Sequence, residues 1–279
     1  MNPLIILRGG GDLASGVALR LYRTGFQIVI IELEKPLAVR RSVAFSEAVF
    51  EEAHTVEGVT ARLVSADQLQ DTLETGEIPI LIDPDANILR NQFLTSPRST
   101  IVIDARLTKN APETLAAEVA LHIGLGPGFR AGENCHAVIE TRRGHTLGRV
   151  YWAGSAQSDS GQPEGDSRRV LRAPHSGAIT TYTNIGDHLN EGQLIAEIQS
   201  DSENQKTEII SPFKGVLRGL IHPSVEITKG MKIGDVDRRD DPALCTQVSD
   251  KALAVGGGVL EAILVFTNNI RKISINKLK

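Results

Sequence analysis

Short apolar runs and helical stripes alternate through the first half of the chain. Leu4-Ile5-Ile6-Leu7, Ile28-Val29-Ile30-Ile31, Ile78-Pro79-Ile80-Leu81-Ile82 and Ile101-Val102-Ile103 are each bounded by glycine, proline or charge. Runs of three to five apolar residues with such borders read as buried strands. The pattern predicts strands over 4–8, 27–32, 59–64, 78–83 and 100–104, with helices near 14–24, 43–52, 66–74, 87–94 and 113–119. Strands separated by helices imply a parallel sheet covered on both faces. The first half of segment 121–150 is rich in glycine and reads as a loop, and the chain then becomes extended at Ala137-Val138-Ile139, with 136–140 as a candidate strand. Residues 154–168 lack large apolar side chains and read as a linker. From 243 to 266 the residues Val248, Ala252, Val255, Val259 and Ile263 share one helical face. Gly256, Gly257 and Gly258 interrupt it, so either the backbone there packs close to something or the helix breaks. The basic tail from Asn268 reads as frayed.

Residues 171–238 repeat internally. Pro174, Gly177, Ile179, Leu189, Gly192, Ile195 and Ile198 recur 38 positions later as Pro212, Gly215, Leu217, Ile227, Gly230, Ile233 and Val236. Two equivalent β-units with glycine turns point to a small two-sheet module. The segment resembles the biotinyl/lipoyl domain, a barrel-sandwich hybrid. The lysine that carries the cofactor there falls at Asn204, and Lys206 has no flanking methionines. No biotin or lipoate is therefore expected, and the module reads as a docking or lid element. The fold class is accordingly α/β: a Rossmann-like parallel-sheet domain over 1–153, a linker over 154–168, the duplicated β module over 169–240, and a C-terminal helix with its tail over 241–279.

Chemistry concentrates where the first strand ends. Gly9, Gly11 and Ala14 fit G-x-G-x-x-[GA], with Gly10 between them, a strand before and a helix after. Such a turn aims free N–H groups and a positive dipole end at a phosphate. Glu32 closes the second strand, about where a ribose-binding acid belongs. Asp12 sits beside the phosphate position and with Ser15 suits helix capping or a metal. Asp83 and Asp104 end later strands, and ligands in parallel sheets bind at that rim. Gly126, Gly128 and Arg143 suit a second oxyanion. Cys135, His136, Glu140 and His145 are weak metal candidates, because no CxxC or HExxH spacing supports them.

Composition narrows the partners. The chain has 279 residues, a net charge of −4 and 4% aromatic residues, which argues against a nucleic-acid partner. No stretch approaches 18 apolar residues, so no membrane span is expected, and the run before Arg8 is too short for a signal peptide. Two cysteines, Cys135 and Cys245, build no disulfide framework and suit a cytoplasmic protein.

Several longer segments carry a resemblance. They are Arg8–Ala14, Glu32–Arg41, Ile123–Phe129, Cys135–Thr141, Arg143–Val150 and Lys232–Asp237. Together they are similar to the YqeB family, accessory proteins of selenium-dependent molybdenum hydroxylases. The resemblance implies a cytoplasmic maturation factor acting with a hydroxylase of the xanthine-dehydrogenase type. The ligand at Gly9–Ala14 would then be a nucleotide or the phosphate of a molybdenum-pterin cofactor. The residues leave two other readings open: an NAD(P)-dependent oxidoreductase, in which Glu32 holds the ribose, and a non-catalytic scaffold. Homo-oligomerisation through the apolar C-terminal helix is a further expectation.

Overall fold

The computed structural model describes residues 3–91, 99–113, 115, 117–158, 166–200 and 205–276. Strand β1 (Leu4–Arg8) leads into helix α1 (Asp12–Arg23) and strand β2 (Ile28–Glu32). Helix α2 (Ala48–Glu51), strands β3 (Ala53–Val56) and β4 (Val59–Leu63), helix α3 (Leu69–Glu74) and strands β5 (Ile78–Ile82) and β6 (Thr100–Asp104) follow. Next come β7 (Leu121–Leu125), β8 (Arg130–Ala131), β9 (Ala137–Ile139), β10 (Val150–Tyr151) and β11 (Gly154–Ser155). Nine of these strands form one sheet in the order β10-β9-β7-β6-β1-β2-β5-β4-β3. The interior is parallel, and the two edge strands β10 and β3 are antiparallel. The chain leaves β1 for β2 on one side and later returns to β6 on the other. The carboxyl ends of β1, β2 and β6 therefore flank a topological switch point, where the sheet opens a crevice.

Several expected elements differ. The helix expected over 43–52 is two 3₁₀ turns, Arg41–Val43 and Phe45–Glu47, followed by the single turn α2. That over 87–94 is a 3₁₀ turn at Asn87–Arg90, and 92–94 lie outside the described residues. The described part of 113–119 is not helical. Strand β7 occupies sequence that reads as loop. Its Gly124 is needed for packing, since a Cβ there would lie 2.0 Å from the Phe129 ring. Hairpin β3–β4 turns at Glu57-Gly58, both at positive φ. The start of the expected linker is strand β11, paired with β8.

The remaining strands are β12 (Val170–Arg172), β13 (Gly177–Thr181), β14 (His188–Leu189), β15 (Leu194–Ser200), β16 (Lys206–Ile210), β17 (Gly215–Leu220) and β18 (Lys232–Asp237). They form two antiparallel sheets, β12-β18-β17-β14 and β13-β15-β16. The 38-residue interval recurs in the registers. Ile179 pairs with Ile198 as Leu217 pairs with Val236, and Leu171 pairs with Gly234 as Ile209 pairs with Ala196. Gly177 bridges Ile227 as Leu189 pairs with Gly215. A Cβ on Gly177 would strike the Gln199 carbonyl, and one on Gly215 the Asp237 carbonyl, 38 positions on. The module has its own core, into which Val39 and Phe50 of the first half insert. Lys206 begins β16 and is exposed, whereas Asn204 lies outside the described residues.

Helix α4 (Ala243–Thr246) and helix α5 (Asp250–Asn276) complete the chain. Ala252, Val255, Val259, Ala262 and Ile263 join the core of the large sheet, so this apolar stripe is covered within the chain by α1 and strands β7, β9 and β10. The helix does not break at its three glycines. It also continues through the tail that reads as frayed, as far as Asn276.

Candidate functional site

The crevice at the switch point is a cavity of about 520 Å³. Its floor is the turn between β1 and α1, where three glycines answer three demands. Gly9 has a φ of +93°, a left-handed conformation that suits glycine. Gly10 lies against the Ser46 backbone, which a Cβ would approach to 3.0 Å. Gly11, the N-cap of α1, has an ordinary φ of −66°, and a Cβ there would meet nothing within 4 Å. The third glycine thus faces open space, and α1 begins immediately behind it. Ala14 is buried where the helix meets the sheet. Ser15 donates to the Gly10 carbonyl at 3.2 Å and accepts from Phe45 N–H at 2.8 Å, so it ties the turn to the following segment.

Glu32 comes to the turn from the end of β2. Its carboxylate accepts from Gly10 N–H at 2.7 Å and from Leu33 N–H at 2.8 Å. Burial pushes its pKa above the ordinary carboxylate value, against the lowering effect of those two bonds. Asp12 accepts from Leu13 N–H at 2.9 Å and faces Arg40 at 3.6 Å. The Arg40 side chain is buried and also donates to the carbonyls of Leu244 and Gln247.

The other two rim acids have partners. Asp83 caps the 3₁₀ turn, accepting from Asn87 N–H at 2.9 Å and Ile88 N–H at 2.8 Å. Asp104 is buried between Arg106, at 2.7 Å, and Arg8, at 3.4 Å. Both arginines also reach Glu113. Burial works against ionisation of Glu113, yet its own N–H, Arg106 and Arg8 bring it down to about 2. Asp83 still lines the cavity, whereas Asp104 sits behind the arginines that do.

The expected second oxyanion site is not assembled. Gly126, at a φ of +89°, and Gly128 shape the loop after β7 without lining the cavity. A Cβ on Gly128 would lie 2.4 Å from the Thr108 carbonyl, so its role is close packing. Arg143 makes a two-pronged ion pair with Asp250 at 2.7 and 2.8 Å, fastening the β9–β10 connection to the start of α5. That bond, with Arg143 as the main cause, brings Asp250 to about 2.

The metal candidates are likewise scattered. Cys135 is buried among Phe129, Ala131 and Val138, and burial pushes its thiol up to about 11. His136 Nδ1 accepts from His122 N–H at 2.8 Å. Glu140 is fully buried and accepts from Arg142 N–H and Gln157 N–H, both at 2.8 Å. His145 is exposed. Among the described residues no group of three or more His, Cys, Asp or Glu side chains is placed to hold a metal ion.

The sequence reading missed much of the wall. Leu37, Val39 and Arg40 come from the loop after β2, Ser46 from the second 3₁₀ turn, and Met231 and Lys232 from the duplicated module. The loop segment Pro36–Arg41 falls inside a motif quoted above. The two residues from the module could not be placed at a cleft 200 residues away in sequence without the tertiary fold.

These features define a mixed α/β protein with a mostly parallel nine-stranded sheet, small antiparallel sheets and a glycine-turn crevice at the switch point. No protein-family model matches the chain. It is 45% identical over 269 residues to the "Uncharacterized protein YqeB" of Escherichia coli strain K12, taking in 95% of this chain and 48% of that protein. The similarity supports membership of the YqeB family, and the chain spans about half the length of this curated relative. Among solved structures, the ectoine utilization protein EutE (DoeB) of Ruegeria pomeroyi overlaps 84% of this chain and 85% of its own, at 13% identity and a TM-score of 0.27. A succinylglutamate desuccinylase/aspartoacylase of Rhodobacter sphaeroides overlaps the same shares at 10% identity and a TM-score of 0.26. Overlaps at this level carry no argument about fold or activity.

Proposed function

We propose that the crevice binds a phosphate-bearing cofactor, a nucleotide or a pterin nucleotide, and that the protein serves as a maturation factor for a molybdenum hydroxylase of the xanthine-dehydrogenase type. The binding half of the reading rests on one observation. Gly11 opens onto the cavity at the N-terminus of the twelve-residue helix α1, with Glu32 anchored at the same turn. A strand, a glycine turn, a helix and an acid at the end of the next strand form the Rossmann-like arrangement for a diphosphate and a ribose. The maturation half rests on the resemblance of the motifs Arg8–Ala14, Glu32–Arg41, Ile123–Phe129, Cys135–Thr141, Arg143–Val150 and Lys232–Asp237 to the YqeB family. No reaction step and no metal ligand are assigned, since the acids of the crevice are engaged by N–H groups and arginines.

The test is native mass spectrometry with elemental analysis of the protein purified from its own cells, repeated on Gly11→Asp. A carboxylate at that point repels a phosphate, while the open space and ordinary φ leave the fold intact. The expected result is a bound nucleotide or pterin mass in the native protein and none in the variant, at an unchanged melting temperature. Equal occupancy in both removes the assignment of the site. A bound NAD would instead favour the oxidoreductase. Normal molybdenum content and activity in a hydroxylase from cells lacking this protein would overturn the maturation role.

A further inference from the structure

The duplicated module departs from its own symmetry on the side that meets the crevice. Strand β18 begins with Met231 just before it and Lys232 as its first residue, and both line the cavity. Counting 38 positions back, the equivalents of Arg218, Lys232 and Asp237 are Thr180, Leu194 and Gln199. Asp235 keeps a carboxylate, Glu197, at its equivalent. Both halves pair the same strands and make the same glycine approaches, and they part at Arg218, where β17 bulges against β18 while the equivalent Thr180 pairs regularly with Glu197. The first half does so without these charges, so folding of the repeat does not require them.

The added charges are cationic in excess. Asp235, buried, takes Arg169 at 2.8 Å, Lys232 at 3.0 Å and Arg218 at 3.2 Å. Asp237 takes Arg218 at 2.9 Å and Arg239 at 2.5 Å. Four cations thus share two carboxylates. Burial opposes ionisation of Asp235, yet Lys232, Arg218 and Arg169 hold its pKa below the ordinary value. With two guanidinium groups already on Asp235, Lys232 is not needed to neutralise it, and its side chain is partly exposed at the cavity wall. Three buried polar atoms in this region have no hydrogen-bond partner: Nε of Arg40, Nε of Arg218 and the hydroxyl of Ser46. Arg40 and Ser46 line the cavity. Buried polar atoms of this kind are satisfied in most native structures, so the unpaired guanidinium nitrogens add to the positive character of this wall.

We propose that the second half of the duplicated module is the anion-binding wall of the crevice, with Lys232 as its contact to a diphosphate group held on the other side by the Gly9–Gly11 turn. The ligand is then a diphosphate-bearing nucleotide that bridges the large sheet and the β module. This rests on the nucleotide reading above and adds its second binding surface.

Calorimetric titration of the intact chain with ADP, GDP, CDP and NAD separates the two claims. The probe that binds is then titrated into Gly11→Asp, Lys232→Ala and Lys232→Arg, each checked by its melting temperature. The expected result is binding of at least one probe and its loss in Gly11→Asp. Lys232→Ala should weaken it by about tenfold, the weight of one lost charge-assisted contact, and Lys232→Arg should restore most of it. Affinity should also fall with added salt in the native protein, and less steeply in Lys232→Ala. Native affinity in a folded Lys232→Ala, alongside loss in Gly11→Asp, overturns the wall and leaves the turn. No heat from any probe with the native protein overturns the nucleotide reading itself. If Lys232→Ala melts early, Lys232→Gln replaces it, and an unchanged affinity there has the same force against the proposal.

Discussion

Two glutamates, the half-buried Glu32 and the fully buried Glu140, show how one residue type takes two roles. Each accepts two backbone N–H groups. Glu140 joins Arg142, in the β9–β10 connection, to Gln157 beyond β11, and it is not among the residues that line the cavity. Its role is to satisfy two donors that would otherwise be orphaned. Glu140→Gln puts an amide NH₂ against one of them. The expected outcome is a loss of about 1–3 kcal/mol in urea unfolding, the range for an unsatisfied buried group, with unchanged affinity for any nucleotide that binds the native protein. A stable Glu140→Gln that loses ligand would move the site to this side of the sheet. Glu32 instead lines the cavity, and only the fold separates the two, because both stand at strand ends in sequence.

Helix α5 carries three consecutive glycines with three different surroundings. A Cβ on Gly256 would lie 2.9 Å from the Gly16 carbonyl of α1, and one on Gly258 would lie 2.1 Å from the Gly148 carbonyl. A Cβ on Gly257 would meet nothing within 4 Å. Helix propensity alone favours alanine by about 0.8–1 kcal/mol. Gly257→Ala should therefore raise stability by about that amount. Gly256→Ala and Gly258→Ala should lower it by about 1–3 kcal/mol through overpacking. Thermal melts of the three variants decide it, and a loss in all three would mean that α5 does not sit as described. The sequence allowed close packing or a break at this point, and could not choose because the partner glycines, Gly16 and Gly148, lie over 100 residues away. Elements were legible where the pattern is local. Four of the parallel strands, β1, β2, β5 and β6, show as bounded apolar runs, and the duplication shows as a fixed interval. Strand β7 was hidden because Gly124 reads as loop chemistry, while its real cause is the Phe129 ring packed on the strand. The expected helices at 43–52 and 113–119 had apolar spacing without enough turns or caps to hold them. At the site, the glycine turn and Glu32 could be read locally, whereas Arg40, Ser46 and Lys232 could not.

At the scale of the molecule, the charge network of the β module should make stability fall in acid. Hydrogen bonding to Arg239 is the main cause that brings Asp237 to about 2, and Asp235 is lowered by its three cations despite burial. Both pKa values lie below the ordinary 3.8. The stabilisation is thus fully present above about pH 4 and is lost as pH falls toward 2, where both folded carboxylates take up protons. Glu32 and Glu47 work in the opposite sense, because burial raises them above 4.5. Protonation in acid relieves their burial cost and offsets part of the loss. Replacing Asp237 with Asn isolates the first effect, since it deletes one depressed carboxylate and leaves both glutamates. Urea unfolding followed by circular dichroism at pH 6 and pH 3 should show the native protein losing more stability than Asp237→Asn between the two. The difference should be about 0.5 kcal/mol, the roughly 1 kcal/mol that the lowered pKa gives over this pH window reduced for solvent screening at this partly open pair. Parallel losses in the two proteins would mean that Arg218 and Arg239 do not hold Asp237 in solution. The cationic wall would then lack one of the two carboxylates that order Arg218, and Lys232 would rest on Asp235 alone.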